Sequence, residues 1–191
     1  MPKTLATAAL ILPATSNYIV ASVAIANGAQ TIAHQPDVPR NITITVTDAN
    51  ASIDAGTVTV TGTDISGNPV SEVMTMPANL TKTGTKTFKK ITSVVVASLH
   101  GQEAGDTIVV GIGANAQLTI GATHLVSAVI TGGAGTSGPY TIIDGTSGTT
   151  GNVAVLKAGV REQTYPYDCM LGSGLRVVVA GTESVTINYE Q

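Results

Sequence analysis

Residues 56–76 read GTVTVTGTDISGNPVSEVMTM, and their reading decides the fold. Thr57, Val58, Thr59, Val60 and Thr61 alternate hydroxyl and apolar side chains. A period of two lets a strand bury one face and turn the other outward. Residues 62–69, GTDISGNP, are turn chemistry: Gly67 and Asn68 tolerate positive φ, and an Asp at the turn entry bonds nearby backbone. Val70, Val73 and Met74 make the returning run before Pro77. The pattern predicts a β-hairpin with one face in a core and one hydroxyl-rich face towards water or a partner. It contains no nucleophile with a base, no acid pair and no metal cage.

The neighbouring segments repeat the style. Residues 41–47, NITITVT, alternate strictly, with Ile42, Ile44 and Val46 on one face. Residues 35–40, QPDVPR, form a rigid connector, because each Pro biases the residue before it towards extended backbone. Residues 18–26 are an apolar strand, and Asn27-Gly28 after it predicts a hairpin into residues 29–34. Downstream, residues 83–90 lead into a strand over 91–97, with Phe88 as the one bulky ring for this core, and residues 107–112 form a further strand. A second set of short apolar runs covers 117–120, 124–131, 140–144, 153–157, 162–167, 175–180 and 184–189. Gly-rich stretches at 132–139 and 145–152 separate them, and residues 181–183 predict a tight hairpin between the last two runs. No segment keeps helical periodicity beyond about two turns, and no fixed repeat period is present. The expectation is all-β: two small antiparallel β-sandwich or barrel modules over 18–113 and 114–191, with an extended N-terminal arm over 1–17.

Composition narrows the functional classes. Charged residues are 11% of the chain, against an average of about 25%. Aromatic residues are 3%, with no Trp. Two modules built from Val, Ile, Leu and Ala, each of roughly 80–100 residues, bury only a modest fraction of their surface. Low charge and thin cores point to burial between subunits, so an oligomer or assembly is expected. A net charge of −3 argues against a nucleic-acid partner. Lys82, Lys86, Lys89 and Lys90 read as the solvated face and turn of a strand. No run is long enough to span a membrane. Lys3 followed by Leu5 to Leu12 loosely imitates a signal peptide, but the run is short and Pro13 ends it. Leu5, Leu10, Ile11 and Leu12 are therefore expected to dock on a core or a neighbouring subunit. Cys169 is the single cysteine, so no intramolecular disulfide forms, which favours assembly in a reducing cytoplasm.

The search for chemistry ends mostly in turns. Asp48, Asn50, Ser52 and Asp54 imitate the first half of a calcium loop, but Gly56 falls out of step and Thr59 stands where the bidentate Glu belongs. Asp64, Ser66, Asn68 and Glu72 read better as a hairpin turn than as a cation site. His34, His100 and His124 are scattered, without a His or Cys at ligand spacing. No Gly-x-Ser-x-Gly elbow or phosphate loop is present. The expectation is a non-enzymatic protein without a cofactor. Tyr165 and Tyr167 share one strand face and read as a candidate subunit contact, since Tyr is favoured at interfaces.

Four motifs carry a family resemblance. QPDVPRNIT at 35–43, TVTGTD at 59–64, GNPVSE at 67–72 and GTKTFKKITSV at 84–94 together resemble a recurrent structural module of tailed-phage particles. VAVLKAG at 153–159, GLRVVVAG at 174–181 and SVTINYE at 184–190 resemble a second small module of such particles. The resemblance covers most of 35–112 and 152–190, and residues 114–151 carry no such motif. It implies a virion structural protein of the head decoration or cement type. Such a protein binds outside the major capsid shell, often as a homotrimer, and is assembled in the host cytoplasm. Its implied partners are the major capsid protein and copies of itself. Two other readings stay open: another virion part (head fibre, neck or tail), and a carbohydrate-binding adhesin-like module. The latter needs exposed aromatics, for which Tyr140, Tyr165 and Tyr167 are the available side chains.

Overall fold

A computed structural model of the chain describes residues 6–76, 79–131, 139–146, 151–156 and 163–191. The regular elements are all strands. In chain order they are β1 (Thr7–Ile11), β2 (Thr15–Ala24), β3 (Gly28–Ala29), β4 (Arg40–Thr47), β5 (Ala55–Thr63), β6 (Pro69–Thr75), β7 (Thr81–Phe88) and β8 (Lys90–His100). There follow β9 (Thr107–Gln117), β10 (Thr123–Thr131), β11 (Tyr140–Asp144), β12 (Asn152–Leu156), β13 (Gln163–Leu171), β14 (Leu175–Val179) and β15 (Ser184–Glu190). The chain divides into two compact units, Thr15–Gly113 and Met1–Ala14 with Ala114–Gln191. Both are antiparallel and sandwich-like.

In the Thr15–Gly113 unit, one sheet runs β3-β8-β5-β6. The hairpin of β5 and β6 pairs without a slip from Thr57 opposite Thr75 to Thr63 opposite Pro69. Its turn is closed by Asp64: the Asn68 N–H donates to Oδ1 at 2.9 Å and the Gly67 N–H to the Asp64 carbonyl at 3.0 Å. Gly67 takes φ 85°, which a side chain there resists. Val58 and Val60 are buried, as the alternation predicts, and on β6 Met74 is buried while its neighbour Val73 is exposed. Val58 and Val60 stand opposite Val96 and Val94 of β8, Ile91 of that strand is buried too, and Ile42, Ile44 and Val46 of β4 supply a further buried row. Each such side chain contributes about 1.5–3 kcal/mol by leaving water. Phe88 is fully buried. The threonine row is half-buried rather than free: Thr61 Oγ1 meets Ser93 Oγ at 2.7 Å, and Thr57 Oγ1 donates to the Ala97 carbonyl.

The connector at 35–41 acts as a clamp. The Gln35 carboxamide bonds both backbone groups of Ile91, at 2.8 Å and 3.1 Å. Arg40, fully buried, pairs with Asp37 at 3.2 Å. Burial pushes the Arg40 pKa down, and Asp37 opposes the shift. The Asn41 amide donates to the Gly84 carbonyl at 3.1 Å. The residues that carry the phage resemblance in this segment are therefore holding strands together.

The Asn27-Gly28 hairpin does not form. β2 pairs with β9 and β3 with β8, so the chain crosses between sheets at this point. The Asn27 carboxamide accepts the Leu99 N–H and donates to the Leu99 carbonyl. A long-range partner for that side chain replaces the local turn.

In the other unit, one sheet runs β1-β15-β10-β13. The second is formed by β12, β11 and β14, with residues 115–117 of β9 paired to β14. Buried Ile11, Leu125, Ala128, Ile130, Val185 and Ile187 come from the first sheet; Tyr140, Ile142, Leu156, Val177 and Val179 come from the second. Residues 181–183 are not a hairpin, because β14 and β15 lie in different sheets. They form an arch held from inside by Tyr140. Its hydroxyl, fully buried, lies 3.0 Å from the Glu183 carbonyl, 3.1 Å from its carboxylate and 3.2 Å from its N–H. The N-terminal segment also differs from a free arm: β1 is a strand paired to β15 from Thr7 opposite Tyr189 to Ile11 opposite Val185. Residues 15–17 already belong to β2 of the other unit.

Candidate functional site

The bulge in β10 and β13 builds the one concentration of ionisable groups on the described outward face of the β1-β15-β10-β13 sheet. In β13 the register passes from Cys169 opposite Leu125 to Pro166 opposite Ser127, which gives β13 an extra residue. Asp168 sits there at φ 71°, a conformation that Asp tolerates better than most residues and that re-aims a strand side chain. Its carboxylate reaches His124 Nε2 at 2.7 Å. On the other flank, Glu190 of β15 stands opposite His124, and its carboxylate lies 3.4 Å from Nδ1. The hydrogen bond to Asp168 foremost, and that to Glu190, raise the His124 pKa above its ordinary 6.5, against a smaller opposing effect of desolvation. Ala122, Met170 and Gln191 complete an open hollow of about 350 Å3 around these groups.

Chemically this is a charge cluster, one imidazole between two carboxylates. Among the described residues the two ring nitrogens of His124 are turned to two carboxylates instead of converging with them on a shared point. Among the described residues no group of three His, Cys, Asp or Glu side chains is placed to hold a metal ion. The carboxylates of the 48–54 and 64–72 segments lock backbone in place. Asp48 accepts the N–H groups of Ser52 and Ile53 at 3.0 Å each. Glu72 accepts the Thr85 N–H at 2.7 Å and so ties β6 to β7, away from Asp64. Among the described residues no helix is long and apolar enough to cross a membrane.

The second feature is the distribution of exposed apolar side chains. Leu10 on β1 is 52% exposed, Val73 on β6 64%, Val155 on β12 56% and Met170 on β13 69%. All four strands end a sheet. Such strands carry unpaired N–H and C=O groups and are templates for pairing with another chain.

The expected interface residues are distributed as follows. Leu10 points outward from the edge strand β1, while its neighbour Ile11 is fully buried in the core of its own unit. Leu12 is half-buried just beyond it, and Leu5 lies outside the described residues. Tyr165 and Tyr167 are half-buried on β13, on the face shared with Cys169. The Tyr165 hydroxyl donates to Gln163 Oε1, and burial raises the Tyr167 pKa. Tyr140 is unavailable to any ligand, being core. The His124 cluster escapes sequence reading because its members lie 44 and 66 positions apart and meet only through strand register. No family model matches the chain, and no curated protein or solved structure matches it.

Proposed function

We propose that this chain is a structural protein of a tailed-phage particle, of the head decoration type. It binds outside the capsid shell and associates with copies of itself, with a homotrimer as the expected form. The observation that carries the reading is the exposed apolar residue on each of four edge strands: Leu10, Val73, Val155 and Met170. A monomer that works alone blunts its edges with charge or covers them. Here β1 and β12 have no charged residue at all. Low overall charge and the motifs at 35–43, 59–72 and 84–94 support the same reading. Weak contacts repeated over a symmetric shell add through effective concentration, so each edge need contribute little. A sugar-binding role is the less favoured alternative, because Tyr140 is buried and Tyr165 and Tyr167 are only half-exposed.

The test is co-sedimentation of purified chain with expanded heads of its own phage. Saturable binding is expected, weakened at least tenfold when Leu10→Lys and Val155→Lys are combined. A chain that stays monomeric and leaves the heads bare would sink the proposal.

A further inference from the structure

We propose that His124 is a pH-operated clip that ties the edge strand β13 and the inner strand β15 to β10, and that opens when the imidazole loses its proton. The argument is stoichiometric. A neutral imidazole has one N–H and one lone pair, and so donates to one acceptor only. His124 has a carboxylate at each nitrogen, Asp168 at 2.7 Å and Glu190 at 3.4 Å. Only the imidazolium donates to both. In the neutral ring one carboxylate faces a lone pair, and that contact turns repulsive. Each neutral tautomer gives up one carboxylate, and the tautomer protonated at Nδ1 gives up Asp168, whose strand β13 is the exposed edge.

The surroundings leave this switch uncomplicated. β10, β13, β15 and the neighbouring β1 contain no Lys or Arg. On the described outward face, the ionisable groups are His124, Asp168 and Glu190. On the opposite face Cys169 and Tyr189 stand opposite Leu125 and Tyr165 opposite Ala128, with Tyr167 between them in the alternation of β13. Both carboxylates favour the charged ring, and none of these four strands supplies a cation to compete for them. The direction follows. The tie is complete below about pH 6.5, where the ring is charged even in an unfolded chain. It is lost as pH rises through the higher folded-state pKa of His124. Asp168 is 92% exposed, so solvent screens the pair and the effect is modest. What opens is local: an edge strand whose amides have one ladder partner, at the point where its ladder is already interrupted by the bulge.

The experiment uses the full chain. Proton NMR follows the three histidine rings from pH 5 to 9, and hydrogen exchange, corrected for intrinsic rate, follows the β13 amides over the same range. The expected result is a His124 midpoint above 6.5, lowered by Asp168→Asn and by Glu190→Gln. Protection of β13 should fall about two- to five-fold through that midpoint, the size expected of an exposed pair. His124→Gln should remove the step while the core amides of β10 stay protected. A midpoint at or below 6.5, or β13 protection that is flat across the titration, overturns the clip. A step that persists in His124→Gln overturns it as well.

Discussion

Replacing Gly62 by Ala tests the packing of the hairpin at 56–76 most severely. A Cβ on Gly62 would stand 1.9 Å from the Lys90 carbonyl oxygen, 2.9 Å from its carbon and 3.1 Å from Ile91 Cα. Ordinary carbon contacts begin near 3.4 Å, so the backbone of β8 must retreat by roughly 1.5 Å. Nothing there is a flexible side chain that could swing aside. Gly62 also marks the register shift between β5 and β8, where the ladder is locally thin. The retreat breaks one or two ladder hydrogen bonds at about 1 kcal/mol net each, and overpacking adds about 1–3 kcal/mol. Gly62→Ala should therefore cost about 2–5 kcal/mol. The control is Gly67→Ala, where φ is 85° and nothing lies within 4 Å of the added carbon. That change carries only the left-handed penalty of about 1–2 kcal/mol. In urea, with a slope of about 2 kcal/mol per M, the midpoints should drop by about 1–2.5 M and 0.5–1 M respectively, at unchanged slope. The reasoning fails if Gly62→Ala unfolds within about 0.5 kcal/mol of the parent, or if Gly67→Ala is the worse of the two.

Three further outcomes follow from other contacts. Tyr140→Phe removes the hydroxyl that holds the 181–183 arch and should cost about 1–3 kcal/mol in thermal or urea unfolding. In the parent, burial foremost pushes the Tyr140 pKa up to about 12, so stability should fall as pH rises from 10 towards 12, and spectrophotometric titration of the variant should lack this last-ionising ring. Gln35→Ala frees both backbone groups of Ile91 and should cost about 1–2 kcal/mol, with faster amide exchange at Ile91 as the local readout. Asp144 accepts the N–H groups of Gly172 and Ser173 at 2.9 and 2.8 Å, which hold its pKa below the ordinary carboxylate value. Its contribution is present above about pH 4 and lost as pH falls through the lower folded-state pKa, so Asp144→Asn should flatten the acid limb of the stability profile.

The two kinds of information differ in what they reach. Strict alternation at 41–47 and 57–61 is a local property, and the structure buries the side chains it marks: Ile42, Ile44, Val46, Val58 and Val60. Turn chemistry at Asp64 and Gly67 is equally local and equally legible. Partner choice is not local. Asn27-Gly28 has the composition of a hairpin turn, yet Leu99, 72 positions away, takes its carboxamide. Residues 181–183 have the spacing of a hairpin, yet a buried hydroxyl from Tyr140 makes them an arch between sheets. The N-terminal apolar run was legible as a docking segment, but its strand pairing with β15 depends on a partner some 175 residues on and has no local signal. The His124 cluster belongs to the same class, since a bulge decides which side chains become neighbours.

The central claim is that the chain decorates and strengthens a phage head. The most direct measurement is the temperature at which filled heads release their DNA, read by dye fluorescence, for heads stripped of the chain and for the same heads after it is added back. The account predicts release several degrees higher in the decorated heads, with the gain lost in the combined Leu10→Lys and Val155→Lys variant. Identical release temperatures at saturating chain, with no chain retained on the particles, would contradict it.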